Sequence, residues 1–343
     1  MSDSNPAAEG IDQFLANPPP LALNAVKELH GDYIILGVGG KMGTTLALML
    51  RRALDQTGRS HAKVMGVSRF SHVETRATLE SQGVQTISCD LAEPDQVALL
   101  PRAENVLYLA GQKFGTADSP DATWVQNTVV PALVARHFRS SRIVVFSTGC
   151  VYPFADTAGN GCNEQTPVAF IGDYASSCVG RERIFSHYAR TFGTRVLLFR
   201  LNYAVELRYG VLVDIAMKVN REEPIDVSTG WLNCIYQSDA CARAIACLEL
   251  TSNPPRILNI TGAEKLSVRQ LAEEFGRRLQ RTPIIRGQEE PTAWLADASE
   301  SMTLFGPPSL SVETLITMVA AYVRGHGPTL EKPTHFETRS GQF

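Results

Sequence analysis

No Cys-x-x-Cys pair occurs among the seven cysteines of the chain, Cys89, Cys150, Cys162, Cys178, Cys234, Cys241 and Cys247. An odd set without paired spacing argues against a zinc ribbon, any other metal motif and a complete disulfide framework, and predicts reduced thiols in a cytoplasmic protein. Long hydrophobic runs are missing too. No stretch of eighteen apolar residues occurs, and Met1-Ser2-Asp3-Ser4-Asn5-Pro6 carries no basic region ahead of an apolar one, so neither membrane insertion nor secretion is expected. Charge of one sign is also scarce. Lys and Arg number 32 against 35 Asp and Glu, a net charge of −3, which gives no global field to draw in nucleic acid or an anionic membrane. Any anion site must be local. No repeat of solenoid period is found. What is present, 343 residues that are 44% hydrophobic and 20% charged, fits an ordinary soluble globular protein with a large core.

Short β-branched runs alternate with helical patterns through the first two thirds of the chain. Strands are expected at Tyr33 to Leu36, Lys63 to Val67, Val84 to Ser88, Asn105 to Leu109, Arg142 to Phe146 and Arg195 to Leu201. Crossover helices are expected at Thr44 to Leu54, Ala122 to Phe138 and Tyr174 to Thr191. This alternation predicts an α/β fold, a doubly wound parallel sheet of Rossmann type. Past residue 204 the rhythm loosens at Pro224 and at Asn253-Pro254-Pro255, and Ser267 and Ser311 each stand as an N-cap before a helix. The expected organisation is an N-terminal extension (1–30), a dinucleotide-binding domain (31–203, to which later segments can return), a smaller α/β substrate lobe (204–327) and a tail (328–343).

The densest signal is Gly37-Val38-Gly39-Gly40-Lys41-Met42-Gly43, which follows an apolar strand and opens an apolar helix. Residues without Cβ let backbone N–H groups approach a pyrophosphate, and the helix N-terminus adds partial positive charge, so a dinucleotide is expected there. The alternative is a tight strand-to-helix turn with no ligand. A Walker A loop is excluded, because Met42 follows Gly40-Lys41 and position 35 is Ile. At the end of the second strand, where an NAD site usually offers a carboxylate to the ribose, the chain reads Val67-Ser68-Arg69-Phe70. Arg69 can pair with a 2′-phosphate, Ser68 can hydrogen-bond it and Lys41 adds a second cation, which predicts NADP(H) in preference to NAD(H). Arg69 as a solvated surface charge is the alternative. Asp90 and Leu91, after the third strand, are expected to flank the adenine.

With Leu109-Ala110-Gly111 after the fourth strand, Ser147-Thr148-Gly149-Cys150-Val151-Tyr152 after the fifth and the later Tyr174, the sequence resembles the extended short-chain dehydrogenase/reductases, also called the NAD-dependent epimerase/dehydratase family. The likeness extends through Arg200-Leu201-Asn202, Ile235-Tyr236-Gln237-Ser238-Asp239 and Leu258-Asn259-Ile260-Thr261-Gly262. It implies a Rossmann domain and a substrate lobe with the reaction in the cleft between them, and a homodimer formed through helices 122–138 and 174–191. It also implies that Leu109, Ala110 and Gly111 lie beside the cofactor, that Thr148 orients the substrate oxygen, that Tyr174 is the general acid/base and that Asn202 contacts substrate.

The family's Y-x-x-x-K helix begins at Tyr174, but position 178 is Cys. Lys at that position holds the nicotinamide ribose and lowers the phenol pKa; a neutral thiol at the cofactor does neither. A free phenol titrates near 10, and each unit of downward shift takes about 1.36 kcal/mol. Replacement charge is expected from the oxidised cofactor itself or from Lys113, whose Leu109-Ala110-Gly111-Gln112-Lys113 context resembles a stretch of the UDP-glucose 4-epimerases. Arg181 shares the helical face of Tyr174 and Cys178, but two turns put it about 10 Å away. Tyr174 as a core phenol with Cys178 as apolar filler is the bland alternative. No His or Lys adjoins Cys178 in sequence to make it a thiolate nucleophile.

The family's 4,6-dehydratases follow the hydroxyl residue with Asp-Glu, and Thr148 is followed by Gly149-Cys150, which argues against dehydration. Its nucleotide-sugar enzymes carry a pyrophosphate-clamping Arg seven residues before the aspartate matched by Asp239, where this chain has Leu232. Ala204-Val205-Glu206 replaces the usual Gly-Pro after Asn202, and Arg208 is left to receive an anionic group. The leading expectation is therefore an NADP(H)-dependent oxidoreductase for a small sugar-like, polyol or hydroxy/keto substrate. The alternatives are an epimerase with retained cofactor and a non-catalytic NADP-sensing module.

Overall fold

The computed structural model describes residues 10–113, 115 and 118–341. Seven strands form one parallel sheet: β1 (Tyr33–Leu36), β2 (Val64–Ser68), β3 (Gln85–Ser88), β4 (Asn105–Tyr108), β5 (Arg142–Thr148), β6 (Arg195–Leu201) and β7 (Arg256–Ile260). Their order is β7-β6-β5-β4-β1-β2-β3. The order reverses between β1 and β4, and in such sheets the ligand crevice opens outside the carboxyl ends at that point. The apolar runs are short because both faces are buried. Tyr33 and Ile35 of β1 enter one core while Ile34 and Leu36 enter the other.

Strand β5 runs two residues beyond the expected Phe146, because Ser147 and Thr148 pair with Arg200 and Leu201 of β6. That extension carries Thr148 to the edge of the crevice. The second expected crossover is not one regular helix. Pro120–Trp124 and Val130–His137 flank a π-helical stretch at Val125–Val129. Asn127 lies within it, fully buried.

Segments after residue 203 do return to the sheet. Strand β7 forms its edge, and helix Gln237–Ala246 packs on helices Pro20–Glu28 and Lys41–Gln56. The part of the N-terminal extension at Pro20–Glu28 belongs to the same core, burying Ala22, Ala25 and Val26 at the i, i+3, i+4 spacing of one helix face. A further core joins helices Val211–Asn220, Val268–Leu279 and Val312–Arg324 in the C-terminal lobe. Ser267 and Ser311 cap the last two, accepting from the N–H groups of Gln270 and Thr314. The tail lies along this lobe. Thr334 donates its N–H and hydroxyl to Asp214, at 2.7 and 2.5 Å, and Phe336 is buried. Among the described residues no helix is long and apolar enough to cross a membrane.

Candidate active site

At the exit of β1 the chain turns sharply, and Gly37 adopts φ +93°. A Cβ on Gly37 would stand 2.7 Å from the Ala110 nitrogen, and one on Gly43 would stand 2.5 Å from the Val38 carbonyl oxygen. The first glycine lets the turn press against Leu109-Ala110-Gly111, and the last lets the helix pack on the turn. Gly39 faces the Ser68 hydroxyl, where its Cβ would lie 2.7 Å away. Gly40 caps helix Lys41–Gln56 without a side-chain acceptor. The positive end of this helix therefore opens onto a cavity of about 430 Å³, lined by the turn, Leu109, Gly111, Lys113 and Tyr174.

Arg69 is exposed and lines an adjoining cavity of about 620 Å³, which shares Gly111, Gln112 and Lys113 with the first. Asp90 and Leu91 are not brought to either cavity. The Asp90 carboxylate accepts the Ala92 N–H at 3.0 Å, and Leu91 fills the core beside Cys89 and Val97.

Thr148 ends β5 in extended backbone, and its hydroxyl accepts the Cys150 N–H at 3.2 Å. Tyr174 lies in the first turn of helix Gly172–Phe192. It lines, with Thr148 and Asn202, a pocket of about 150 Å³ that shares Lys41, Met42, Lys113, Ser147 and Tyr174 with the glycine-turn cavity. Burial raises the Tyr174 pKa well above 10, the Cys178 and Cys150 thiols raise it further, and Arg181 and Thr148 oppose the shift. Cys178 is fully buried, and that burial pushes its thiol up to about 11, so it is neutral.

Lys113, Lys41 and Arg181 line the cavity that Tyr174 also lines. The Lys113 ammonium lies 6.0 Å from the Tyr174 ring centroid, and burial lowers its pKa. Lys41 sits 2.9 Å from the Tyr209 ring centroid with its pKa lowered to about 6, by burial first and then by Lys113 and Lys332. Arg181, seven residues beyond Tyr174 on the same helix, acts electrostatically on the phenol. Its guanidinium lines the glycine-turn cavity, donates to the Phe146 carbonyl at 2.8 Å and bonds the Asn127 carbonyl oxygen.

Behind the pocket, buried Glu182 accepts from Nε and Nη2 of Arg200 at 2.9 and 2.7 Å and from the Ser147 hydroxyl at 2.6 Å, tying the Tyr174 helix to β5 and β6. Asn202 donates to Asn233 at 2.7 Å, and Asn233 donates to the Ala296 carbonyl at 2.6 Å. Arg208 is not available as expected. It pairs with Asp12 at 2.7 Å and Glu206 at 3.2 Å and lines a neighbouring cavity, so two carboxylates already balance its charge. Sequence reasoning missed Ser147, Tyr203, Tyr209, Gln237 and the tail residues Lys332 and Thr334, all of which line these cavities. Only the tail carried a signal, its want of periodicity beyond Gly327.

Residues 33–260 match the model of the NAD dependent epimerase/dehydratase family. A stretch of 161 residues is 28% identical to the 2-alkyl-3-oxoalkanoate reductase of Shewanella oneidensis, covering 46% of this chain and 38% of that protein. The fold is similar to UDP-glucose 4-epimerase of Thermotoga maritima (TM-score 0.70, 16% identity) and of Thermus thermophilus (0.69, 17%). It is also similar to UDP-glucuronic acid 4-epimerase of Bacillus cereus (0.70, 17%), and each of the three comparisons covers 86% of this chain and 99% of the other. At these identities the likeness speaks for the fold alone. A family match over residues 33–260, about two thirds of the chain, on a Rossmann sheet with an open glycine turn, places this chain in the NAD dependent epimerase/dehydratase family.

Proposed function

We propose that the chain is an NADP(H)-dependent oxidoreductase acting on a small sugar-like, polyol or hydroxy/keto substrate, with Tyr174 exchanging the hydroxyl proton. Thr148 orients the reacting oxygen, Asn202 positions the substrate and Lys113 supplies positive charge beside the ring. One observation carries this reading. The Tyr174 and Thr148 side chains line one pocket, which shares a wall with the cavity at the glycine turn.

The turn's fit to a dinucleotide supports the cofactor assignment, since Cβ atoms at Gly37 and Gly43 would strike backbone and the helix N-terminus lacks a side-chain cap. Gly37, Gly39, Gly40, Lys41, Met42 and Gly43 would hold the pyrophosphate, and Leu109, Ala110, Gly111 and Cys178 would back the nicotinamide half. Ser68 and Arg69, with no acid between Val67 and Phe70, favour a 2′-phosphate. A bound nicotinamide dinucleotide supplies or accepts the hydride.

A homodimer is part of the same reading. The helices at 120–137 and Gly172–Phe192 pack side by side and leave Trp124, Val125, Val129 and Phe192 exposed. The test of function is NADPH consumption with a panel of aldoses, ketoses and keto acids. Tyr174→Phe should cut turnover by about 10²–10⁴-fold with NADP⁺ binding retained. Full turnover in that variant, or a change of substrate stereochemistry with no net NADPH consumption, would refute the proposal.

A further inference from the structure

We propose that Arg181 is a positioning residue for Tyr174: a permanently charged guanidinium, held behind the phenol, that stabilises the phenolate formed when Tyr174 gives up its proton. The inference rests on the acid/base reading of Tyr174. When the proton passes to the substrate oxygen, the O–H bond breaks and its electron pair stays on the phenol oxygen. That negative charge arises against Cys150, Cys178 and Trp294, which carry no positive charge, and near the Lys113 ammonium, whose pKa burial lowers.

Arg181 is built into place. It is only 6% exposed, and its two terminal nitrogens are fixed by the Phe146 carbonyl and by Asn127. Asn127 is held in turn, since its Nδ2 donates to the Gln112 carbonyl at 3.0 Å and the Ser177 hydroxyl at 2.9 Å. The space for the guanidinium exists because residue 111 is glycine: a Cβ there would overlap the terminal nitrogen of Arg181. The remaining nitrogen, Nε, is buried and has no hydrogen-bond partner, although such a donor costs about 1–3 kcal/mol. A buried guanidinium left partly unsatisfied, on the wall of the cavity that Tyr174 also lines, is poor design for stability alone. It suits a site that needs a fixed positive charge.

Arginine is also the better agent than Lys113. Guanidinium stays charged under all working conditions, whereas burial drives the Lys113 ammonium toward its neutral form. The electrostatic partners of Arg181 include Tyr174, Cys178, Tyr108 and Glu182. Glu182 is already bound to Arg200 and Ser147, and Tyr108 and Cys178 are neutral, so of these four groups the phenolate is the one whose charge appears during the reaction.

The ionisation of Tyr174 can be read directly by ¹⁹F NMR of the full chain labelled with 3,5-difluorotyrosine, whose phenol is more acidic, with Tyr174→Phe assigning the resonance. Arg181→Met should raise the Tyr174 midpoint by about one pH unit or more, a tenfold change in the equilibrium. Arg181→Lys should stay near wild type, and Lys113→Met should move the midpoint less. Arg181→Gln, which keeps a donor for Phe146, should reproduce the Met shift and serves in its place if the Met protein does not fold. An unmoved midpoint in both neutral variants, or a larger shift in Lys113→Met, overturns the inference. If Tyr174→Phe turns over normally, the acid/base reading has failed, while the ¹⁹F midpoints still decide the electrostatic claim.

Discussion

Loading the glycine turn should take up a proton, and Lys41 is the group that takes it. In the free protein this ammonium is partly buried, faces the Tyr209 ring, is repelled by Lys113 and Lys332 and is only weakly offset by Asp214 and Glu206. Its pKa of about 6 leaves roughly 3% of it charged at pH 7.5. A phosphate brought to the end of its helix favours the charged form. If the complex restores Lys41 to the ordinary lysine range, uptake at pH 7.5 approaches one proton per dinucleotide. The sign follows from linkage. The bound state holds more protons than the free state, so affinity falls as pH rises, by about tenfold per unit from pH 6 up to the pKa in the complex. Calorimetric titration of NADP⁺ in buffers of different ionisation enthalpy gives the proton number from the slope of observed enthalpy. We expect about one proton taken up by the wild type and close to none by Lys41→Met. A wild-type slope of zero, or equal slopes in the two proteins, refutes the reasoning.

Arg69→Ala should weaken NADP⁺ by about 10–150-fold, the value of one charge-assisted hydrogen bond of roughly 1.5–3 kcal/mol, and leave NAD⁺ nearly unchanged in a fluorescence titration. Gly43→Ala puts a methyl 2.5 Å from the Val38 carbonyl and should cost about 1–3 kcal/mol in urea unfolding, with weaker dinucleotide binding. Glu182→Gln removes the charge facing buried Arg200, and a loss of about 3–5 kcal/mol should lower the urea midpoint without changing the m-value.

Much of the fold was legible because its cues are local. Four-residue apolar runs spaced by amphipathic stretches admit little but a covered parallel sheet, and the β1 and β6 boundaries agree with that reading to the residue. The helix at 120–137 was less so, since periodicity carries no sign of the π turn that holds Asn127. Within the site, Arg208 departs from its expected part. Linear sequence leaves Arg208 free for an anion, but the fold brings the carboxylates of Asp12 and Glu206 onto it.

The amino-acid order alone determined the sheet class, the glycine turn and the residue types at positions 148, 174 and 178. Hydrophobic period and the missing Cβ act within a few neighbouring residues, and their physics can be read in a line. Only tertiary packing decided which polar groups meet: Thr148 with Tyr174 in one pocket, Arg181 with Asn127, Arg208 with Asp12, and the tail with Asp214. Electrostatics and burial depend on distance in space, and segments tens to hundreds of residues apart acquire a distance only when the cores have closed.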